Sequence, residues 1–248
     1  GKRWSFPPES ETEITVYTVT LEAQQKYTIG ADVLTCSSQV PAVVKAEVYP
    51  ELKADFTLSE TQGCAPLTVR ATDKSKGGRD LRQTWGFGSS SGVMTGTTVD
   101  WTFQNASNTV QTENVTLRVL NEFNCEAEAA PQVVTVYPEV LPAFNFDLPS
   151  PACPSYDLRF ENISKNASSF KWECLEGGAS GFPQSGVTPT PVLIENATKV
   201  LKKYKFRLTA SENYGGPNGT CSSFVEKELD VRPELKLEVD AAPLERVG

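Results

Sequence analysis

Apolar and polar residues alternate in short stretches along most of the chain. Leu67, Val69 and Ala71 are each followed by a polar residue, which is typical of a strand with one buried face. The same spacing returns in segments 81–87, 99–103, 115–119 and 134–137. Glycine-rich turns at 76–78 and 88–92 separate these segments. About seven short strands in about 90 residues predict a β-sandwich.

The pattern repeats along the sequence. Tyr49-Pro50-Glu51, Tyr137-Pro138-Glu139 and Arg232-Pro233-Glu234 end three similar segments, and their prolines are 88 and 95 residues apart. Cysteines follow the same rhythm, at positions 36, 64, 125, 153 and 221. Two residue types sharing one period indicate tandem repeats. We therefore divide the chain into copy one (1–49, the C-terminal part of a sandwich), copy two (50–138, complete), copy three (139–233, complete but divergent) and the start of a fourth copy (234–248).

The composition of the chain excludes several classes of function. The chain has 248 residues, a net charge of −8 and no histidine. The lack of histidine excludes Ser-His and Cys-His catalysis, and the acidic balance disfavours nucleic acid as a partner. No apolar run approaches the roughly 18 residues of a membrane span. We expect no catalytic, cofactor-binding or metal site, because carboxylate pairs such as Glu226 and Glu228 lie on ordinary alternating segments.

Three motifs of copy two resemble those of the PKD (polycystic kidney disease) domain. They are the strand Ala65-Pro66-Leu67-Thr68-Val69, the segment Trp85-Gly86-Phe87-Gly88, and the strand 115–119 followed by Asn121. The paired cysteines and the Tyr-Pro linkers are most similar to PKD repeats of large Bacteroidetes-type surface proteins. The aspartates of the family's Trp-Asp-Phe-Gly-Asp-Gly pattern are replaced by Gly86 and Ser89, which argues against a PKD-type calcium site.

The resemblance implies an all-β array of immunoglobulin-like sandwiches, arranged end to end as an elongated extracellular stalk. We expect a non-enzymatic spacer, adhesin or filament-forming region on a cell surface. Its expected partners are other repeats of the same chain, protein or polysaccharide ligands, or further molecules in a filament. No nucleic acid partner, membrane insertion or cofactor is expected. The alternative is an accessory substrate-contact module of a secreted multidomain hydrolase.

Four residues are predicted to fill the sandwich cores. Trp85 and Phe87 in copy two match Trp172 and Cys174 in copy three, in phase with apolar neighbours. Cys174 is therefore interpreted as a buried free thiol.

The remaining cysteines indicate disulfide bonds in an oxidising compartment. One scheme pairs cysteines within a copy, Cys64 with Cys125 and Cys153 with Cys221. Loops before the second strand and after the sixth lie at opposite ends of an ordinary sandwich, which disfavours this scheme. The other scheme pairs Cys64 with Cys221 and joins consecutive copies. The sequence leaves both schemes open.

Six Asn-x-Ser/Thr sequences are candidate glycosylation sites in a eukaryotic secretory pathway. They begin at Asn105, Asn114, Asn162, Asn166, Asn196 and Asn218. The alternative is that they are polar turns, which the bacterial resemblance favours.

Overall fold

The protein is all-β. The computed structural model describes residues 3–88, 90–148, 154–216 and 218–235, and within them it contains twenty strands and no helix. The predicted fold class is therefore confirmed. In these ranges no helix is long and apolar enough to cross a membrane. Cys153 and residues 236–248, most of the predicted fourth copy, lie outside the described residues.

Copy one contributes four strands. They are β1 (Thr15–Leu21), β2 (Gln24–Ile29), β3 (Asp32–Ser37) and β4 (Ala42–Val48). β1 pairs antiparallel with β4, and β2 forms a hairpin with β3. Val19 lies opposite Val44 on an apolar face. The sequence repeat aligns Val19 of copy one with Val115 of copy two. Val19 is nevertheless 36% exposed, whereas Val115 is 0% exposed.

Copy two forms two sheets. Its strands are β5 (Phe56–Leu58), β6 (Gln62–Cys64), β7 (Leu67–Asp73), β8 (Arg82–Phe87), β9 (Ser90–Met94), β10 (Thr98–Phe103), β11 (Gln111–Leu120), β12 (Glu126–Glu128) and β13 (Gln132–Tyr137). One sheet has the order β10-β7-β5. The other has the order β6-β13-β11-β8-β9, with β12 paired to β11. Two sheets of this composition form an immunoglobulin-like sandwich.

Copy three repeats the arrangement. Its strands are β14 (Phe144–Asp147), β15 (Tyr156–Asn162), β16 (Ser169–Glu176), β17 (Gln184–Ser185), β18 (Val192–Ile194), β19 (Lys202–Asn213) and β20 (Thr220–Val231). The sheet orders are β14-β15-β18 and β17-β16-β19-β20. The equivalence extends to single pairs: Trp85 lies opposite Leu117, and Trp172 lies opposite Leu208.

Each sandwich is built around its tryptophan. Trp85 and Phe87 are each 1% exposed, and Trp172 is fully buried. The Trp85 indole N–H donates to Gly96 O at 2.8 Å. Trp172 donates to Gly186 O at 3.1 Å. A buried indole N–H needs a hydrogen-bond acceptor. In each sandwich the loop carbonyl supplies that acceptor and also fixes the orientation of the ring.

Cys174 differs from the expectation of a fully buried thiol. It packs against the core of copy three but remains half-buried. The pairing of β16 with β19 shifts register between Cys174 and Glu176. The Cys174 Sγ lies 3.1 Å from Glu176 O, so this irregularity places the thiol at the margin of the core.

The chain divides into two compact units that do not follow the copy boundaries. The first comprises the described residues of 1–61, 68–102 and 112–134. The second comprises those of 62–67, 103–111 and 135–248. Three segments of copy two, 62–67, 103–111 and 135–138, therefore belong to the same unit as copy three, and the contacts at the boundary between the copies explain why.

Candidate functional site: a covalent joint between repeats

A disulfide bond connects copy two with copy three inside the second unit. Cys64 and Cys221 are bonded, with Cα atoms 5.5 Å apart and a sequence separation of 157. Of the two pairing schemes, the structure contains the bond between copies. Cys125 is a half-buried free thiol in the turn between β11 and β12. The strand β6 brings Cys64 to this place by pairing in parallel with β13, where Cys64 lies opposite Tyr137.

An apolar cluster surrounds the bond. Its buried members are Tyr137, Val140, Ala210 and Cys221, and the half-buried Cys64 and Tyr214 pack against them. The rings of Tyr137 and Tyr214 stack with centroids 5.0 Å apart and planes 3° from parallel. Burial, and secondarily the nearby charge of Glu212, raises the pKa of Tyr214 above its usual range. The name "second joint" is used for three features together: this cluster, the disulfide, and the hydrogen bonds made by Asn166.

Asn166 clamps two backbone segments at the second joint. Its φ of +57° lies in the left-handed region, which asparagine tolerates better than most residues. Its side-chain N–H groups donate to Ser107 O at 3.1 Å and to Glu139 O at 2.8 Å. Ser107 belongs to a loop of copy two and Glu139 to the linker. Asn166 thus ties both to the loop between β15 and β16 of copy three.

A buried asparagine holds the linker from the other side. Asn105 is 2% exposed, and its amide donates to Thr109 O at 2.9 Å and to Val136 O at 2.8 Å. Its own backbone carbonyl accepts a hydrogen bond from Glu139 N at 3.0 Å. One residue therefore fixes its loop, the end of β13 and the start of the linker.

Copy three contains the same device at its C-terminal end. Asn196 is 1% exposed and donates to Val200 O and Val231 O, both at 2.8 Å. Its carbonyl accepts from Glu234 N at 2.9 Å. The recurrence shows that the Asn-x-Ser/Thr sequence at these two sites serves the fold. In the sequence, the shared role of Asn105 and Asn196 is indicated by their corresponding positions in copies two and three.

The boundary between copies one and two, which we call the first joint, lies in the first unit and is built similarly. Tyr49 packs against Phe123 with ring centroids 5.1 Å apart, as Tyr137 packs against Tyr214. Gly78 N donates to Glu11 O at 3.0 Å, which links the two copies through the backbone. An isolated bridge between Lys53 and Lys76 matches the one between Leu141 and Lys165.

The other candidate glycosylation sites have different surroundings. Asn162 is half-buried and donates to Val187 O at 2.8 Å. Asn114 and Asn218 are exposed. A glycan on the side-chain nitrogen of Asn105 or Asn196 would remove buried hydrogen bonds, so the folded chain accommodates one far better at the exposed Asn114.

The two tryptophans outside the predicted core positions, Trp101 and Trp4, have different surroundings. Trp101 is half-buried and stacks on Phe87 with centroids 5.2 Å apart, so it extends the core of copy two. Trp4 is 69% exposed. In the part of the chain that the structure describes, no group of three or more His, Cys, Asp or Glu side chains is placed to hold a metal ion.

Comparisons with known proteins add little. No family model matches the chain, and no curated protein matches it. Among solved structures, it is similar to the fibronectin(III)-like modules of CbhA from Clostridium thermocellum. The TM-score is 0.30 with 10% identity, over 77% of this chain and 100% of that chain. At these values the match carries no conclusion about function. The class of the protein is therefore defined by its own fold, an all-β array of immunoglobulin-like sandwiches.

Proposed function

We propose that the chain is a non-enzymatic structural region of a large extracellular surface protein, serving as a PKD-type stalk, spacer or filament-forming array. The observation that carries the proposal is the Cys64–Cys221 bond between consecutive copies. A ligand-binding or catalytic module has no need of a covalent bond to its neighbour, whereas a spacer gains from one. The disulfide also fits an extracellular location, because such bonds persist in oxidising compartments.

The joints support this function through their effect on motion. Neighbouring domains in one chain commonly move relative to each other unless their interface is large and apolar. At the second joint, the disulfide, the Tyr137–Tyr214 stack and the Asn166 clamp oppose that motion together. Proline in the Tyr-Pro-Glu linker removes further freedom, since its ring fixes φ. A stalk requires this restriction because flexing shortens its reach.

Pulsed electron resonance tests the restriction. Spin labels are introduced through encoded non-natural amino acids at the exposed positions Gln104 and Leu193, in copies two and three and both within the second unit. We expect a narrow distance distribution in the oxidised chain and a broader one in the Cys64→Ser/Cys221→Ser variant. The matched control is Cys125→Ser, which removes a free thiol and leaves the distribution narrow. Equally broad distributions in all three proteins would contradict a stiffened spacer.

The second candidate function is an accessory module of a secreted hydrolase, which the exposed Trp4 favours. An indole on the surface can stack on a sugar ring. Co-sedimentation with insoluble cellulose and chitin distinguishes the two functions. The accessory module predicts pelleting that Trp4→Ala abolishes, whereas a region that acts purely as a spacer predicts that the chain stays in the supernatant. The parent gene adds a check: further repeats with a sorting domain favour the stalk, and an adjoining catalytic domain favours the hydrolase.

A further inference from the structure

The position of the disulfide along the chain separates the strands into two groups. Residues 65–220 lie within the covalent loop that Cys64 and Cys221 close. This loop contains strands β7 to β19 and both core tryptophans, Trp85 and Trp172. Of the strands in the described residues, β1 to β6 and all of β20 except its first residue lie outside it. A force applied to the two ends of the chain therefore passes from Cys64 through the sulfur atoms to Cys221.

We propose that the bond is a mechanical lock, which shields most of copies two and three from a pulling force. The proposed stalk function supplies the reason why the chain would bear load, and the lock rests on it in that respect alone. The shielding itself follows from covalent connectivity, since a segment inside a closed loop carries no tension along its backbone. Both copies can lose their packing without lengthening the chain by the residues of the loop.

Strand β20 carries the load through copy three. After Cys221 the force follows β20 to Val231, where the chain leaves the sandwich. A strand rises about 3.2–3.4 Å per residue, and a fully stretched chain spans at most about 3.3–3.6 Å per residue. The segment is therefore almost at its limit already. Pulling β20 away from β19, with which it forms twelve residue pairs from Lys202–Val231 to Asn213–Thr220, adds almost no length.

The N-terminal side of copy two is the extensible part. Between Pro50 and Cys64 the force passes through β5, which pairs with β7 over Phe56–Leu58, and through β6. Detaching these short strands releases at most the residues between the linker and Cys64. Within copies two and three, the lock thus limits lengthening to this segment.

The length that the lock withholds is large. The loop has a sequence separation of 157, and its ends are held 5.5 Å apart. At about 3.3–3.6 Å per residue, opening the bond would release roughly 500–570 Å of chain. An increment of this size is easily resolved in a single-molecule experiment.

Single-molecule force spectroscopy on the full chain, held by handles at both ends, tests the proposal. In the oxidised protein we expect no release of the roughly 500–570 Å. In Cys64→Ser/Cys221→Ser, unfolding of copies two and three should release it. Adding dithiothreitol to the wild-type chain should do the same. The reductant supplies two electrons and two protons to the two sulfur atoms and becomes a disulfide itself. This arm needs no variant to fold.

Cys125→Ser is the matched control and should behave as the oxidised wild type. Release of the full increment by the oxidised chain before reduction would overturn the lock. A force–extension trace of the wild-type chain that is unchanged by reduction, at a force high enough to unfold the handles, would also overturn the lock. These outcomes are independent of the proposed function, because spin-label distances and polysaccharide binding test the stalk without any applied force.

Discussion

Asn196 and Asn105 show how one side chain organises a repeat boundary. Each amide is buried and donates to two backbone carbonyls, one in its own loop and one on the last strand of its sandwich. The hydroxyl of the Ser or Thr two positions later donates to the amide oxygen, at 2.6 Å for Ser107 and 2.5 Å for Thr198. A sequence scanned for glycosylation motifs selects the same asparagines for an unrelated reason.

Replacing Asn196 with alanine should destabilise the protein. The change leaves the buried Val231 carbonyl without its donor, and an unsatisfied buried group costs about 1–3 kcal/mol. Asn114→Ala is the control, because Asn114 is exposed and a surface change of this kind stays within about 0.5 kcal/mol. Urea unfolding of both variants measures the difference. Equal stability of the two variants would show that the Asn196 hydrogen bonds contribute nothing.

Most of the fold could be predicted from residue patterns, and the joints could not. The alternation at Leu67, Val69 and Ala71 gives strand β7, and Trp172 follows from Trp85 by the repeat. The role of Asn166 depends on a left-handed backbone and on two carbonyls far along the chain, Ser107 and Glu139. The partner of Cys64 remained open because spacing alone is compatible with either pairing. The parallel pairing of β6 with β13 resolves it.

At the scale of elements, the hairpin β19–β20 is supported by a row of charges on its surface. Glu226 pairs with Lys205 at 2.7 Å and with Arg207, and Lys203 pairs with Glu228 at 2.8 Å. The hydrogen bond from Lys205, followed by that from Arg207, holds the pKa of Glu226 below its usual range. Lys203 likewise lowers the pKa of Glu228. These pairs lie at the surface, exposed for Lys203–Glu228 and half-buried for Glu226, so they contribute modestly and are screened by salt.

The lowered carboxyl pKa values predict a pH dependence. A carboxyl whose pKa is lower in the folded state stabilises the fold above its unfolded pKa, and this contribution is lost as the pH falls through the folded value. For Glu226 the loss lies below its ordinary pKa of 4.5. Glu226→Gln should therefore be less stable than wild type near neutral pH and should approach it in acid. Urea midpoints at several pH values measure this, and a difference that grows in acid would contradict the assignment.

The first joint depends on a glycine. Gly77 has a φ of +108°, and a Cβ there would lie 2.2 Å from Glu51 O and 2.5 Å from Leu52 Cα, both backbone atoms. The chain just after the boundary between copies one and two, at Glu51 and Leu52, thus lies directly against Gly77.

Gly77→Ala should therefore disrupt the first joint and destabilise the chain by more than the roughly 1–2 kcal/mol that a left-handed alanine alone costs. Gly178→Ala is the matched control, since its φ is +69° and no atom lies within 4 Å of the added Cβ. Thermal unfolding compares the two. A loss for Gly77→Ala no larger than that for Gly178→Ala would mean that the linker moves aside freely.

At the scale of the whole molecule, the two boundaries between copies share an aromatic contact and differ in their covalent connection. The aromatic contact Tyr49–Phe123 of the first joint recurs as Tyr137–Tyr214 in the second, which shows that one design serves both boundaries. The second joint adds the covalent bond. Cys125 occupies in copy two the place that Cys221 holds in copy three, and its thiol is free.

Non-reducing peptide mapping of the purified, alkylated chain tests the connection most directly. Free thiols are blocked before digestion, and linked peptides are identified by mass before and after reduction. Among the cysteines that the structure describes, it predicts one linked pair joining the Cys64 peptide to the Cys221 peptide, with Cys125 recovered in alkylated form. A Cys64 peptide linked to Cys125 would place the bond inside copy two and contradict both the stapled joint and the mechanical lock.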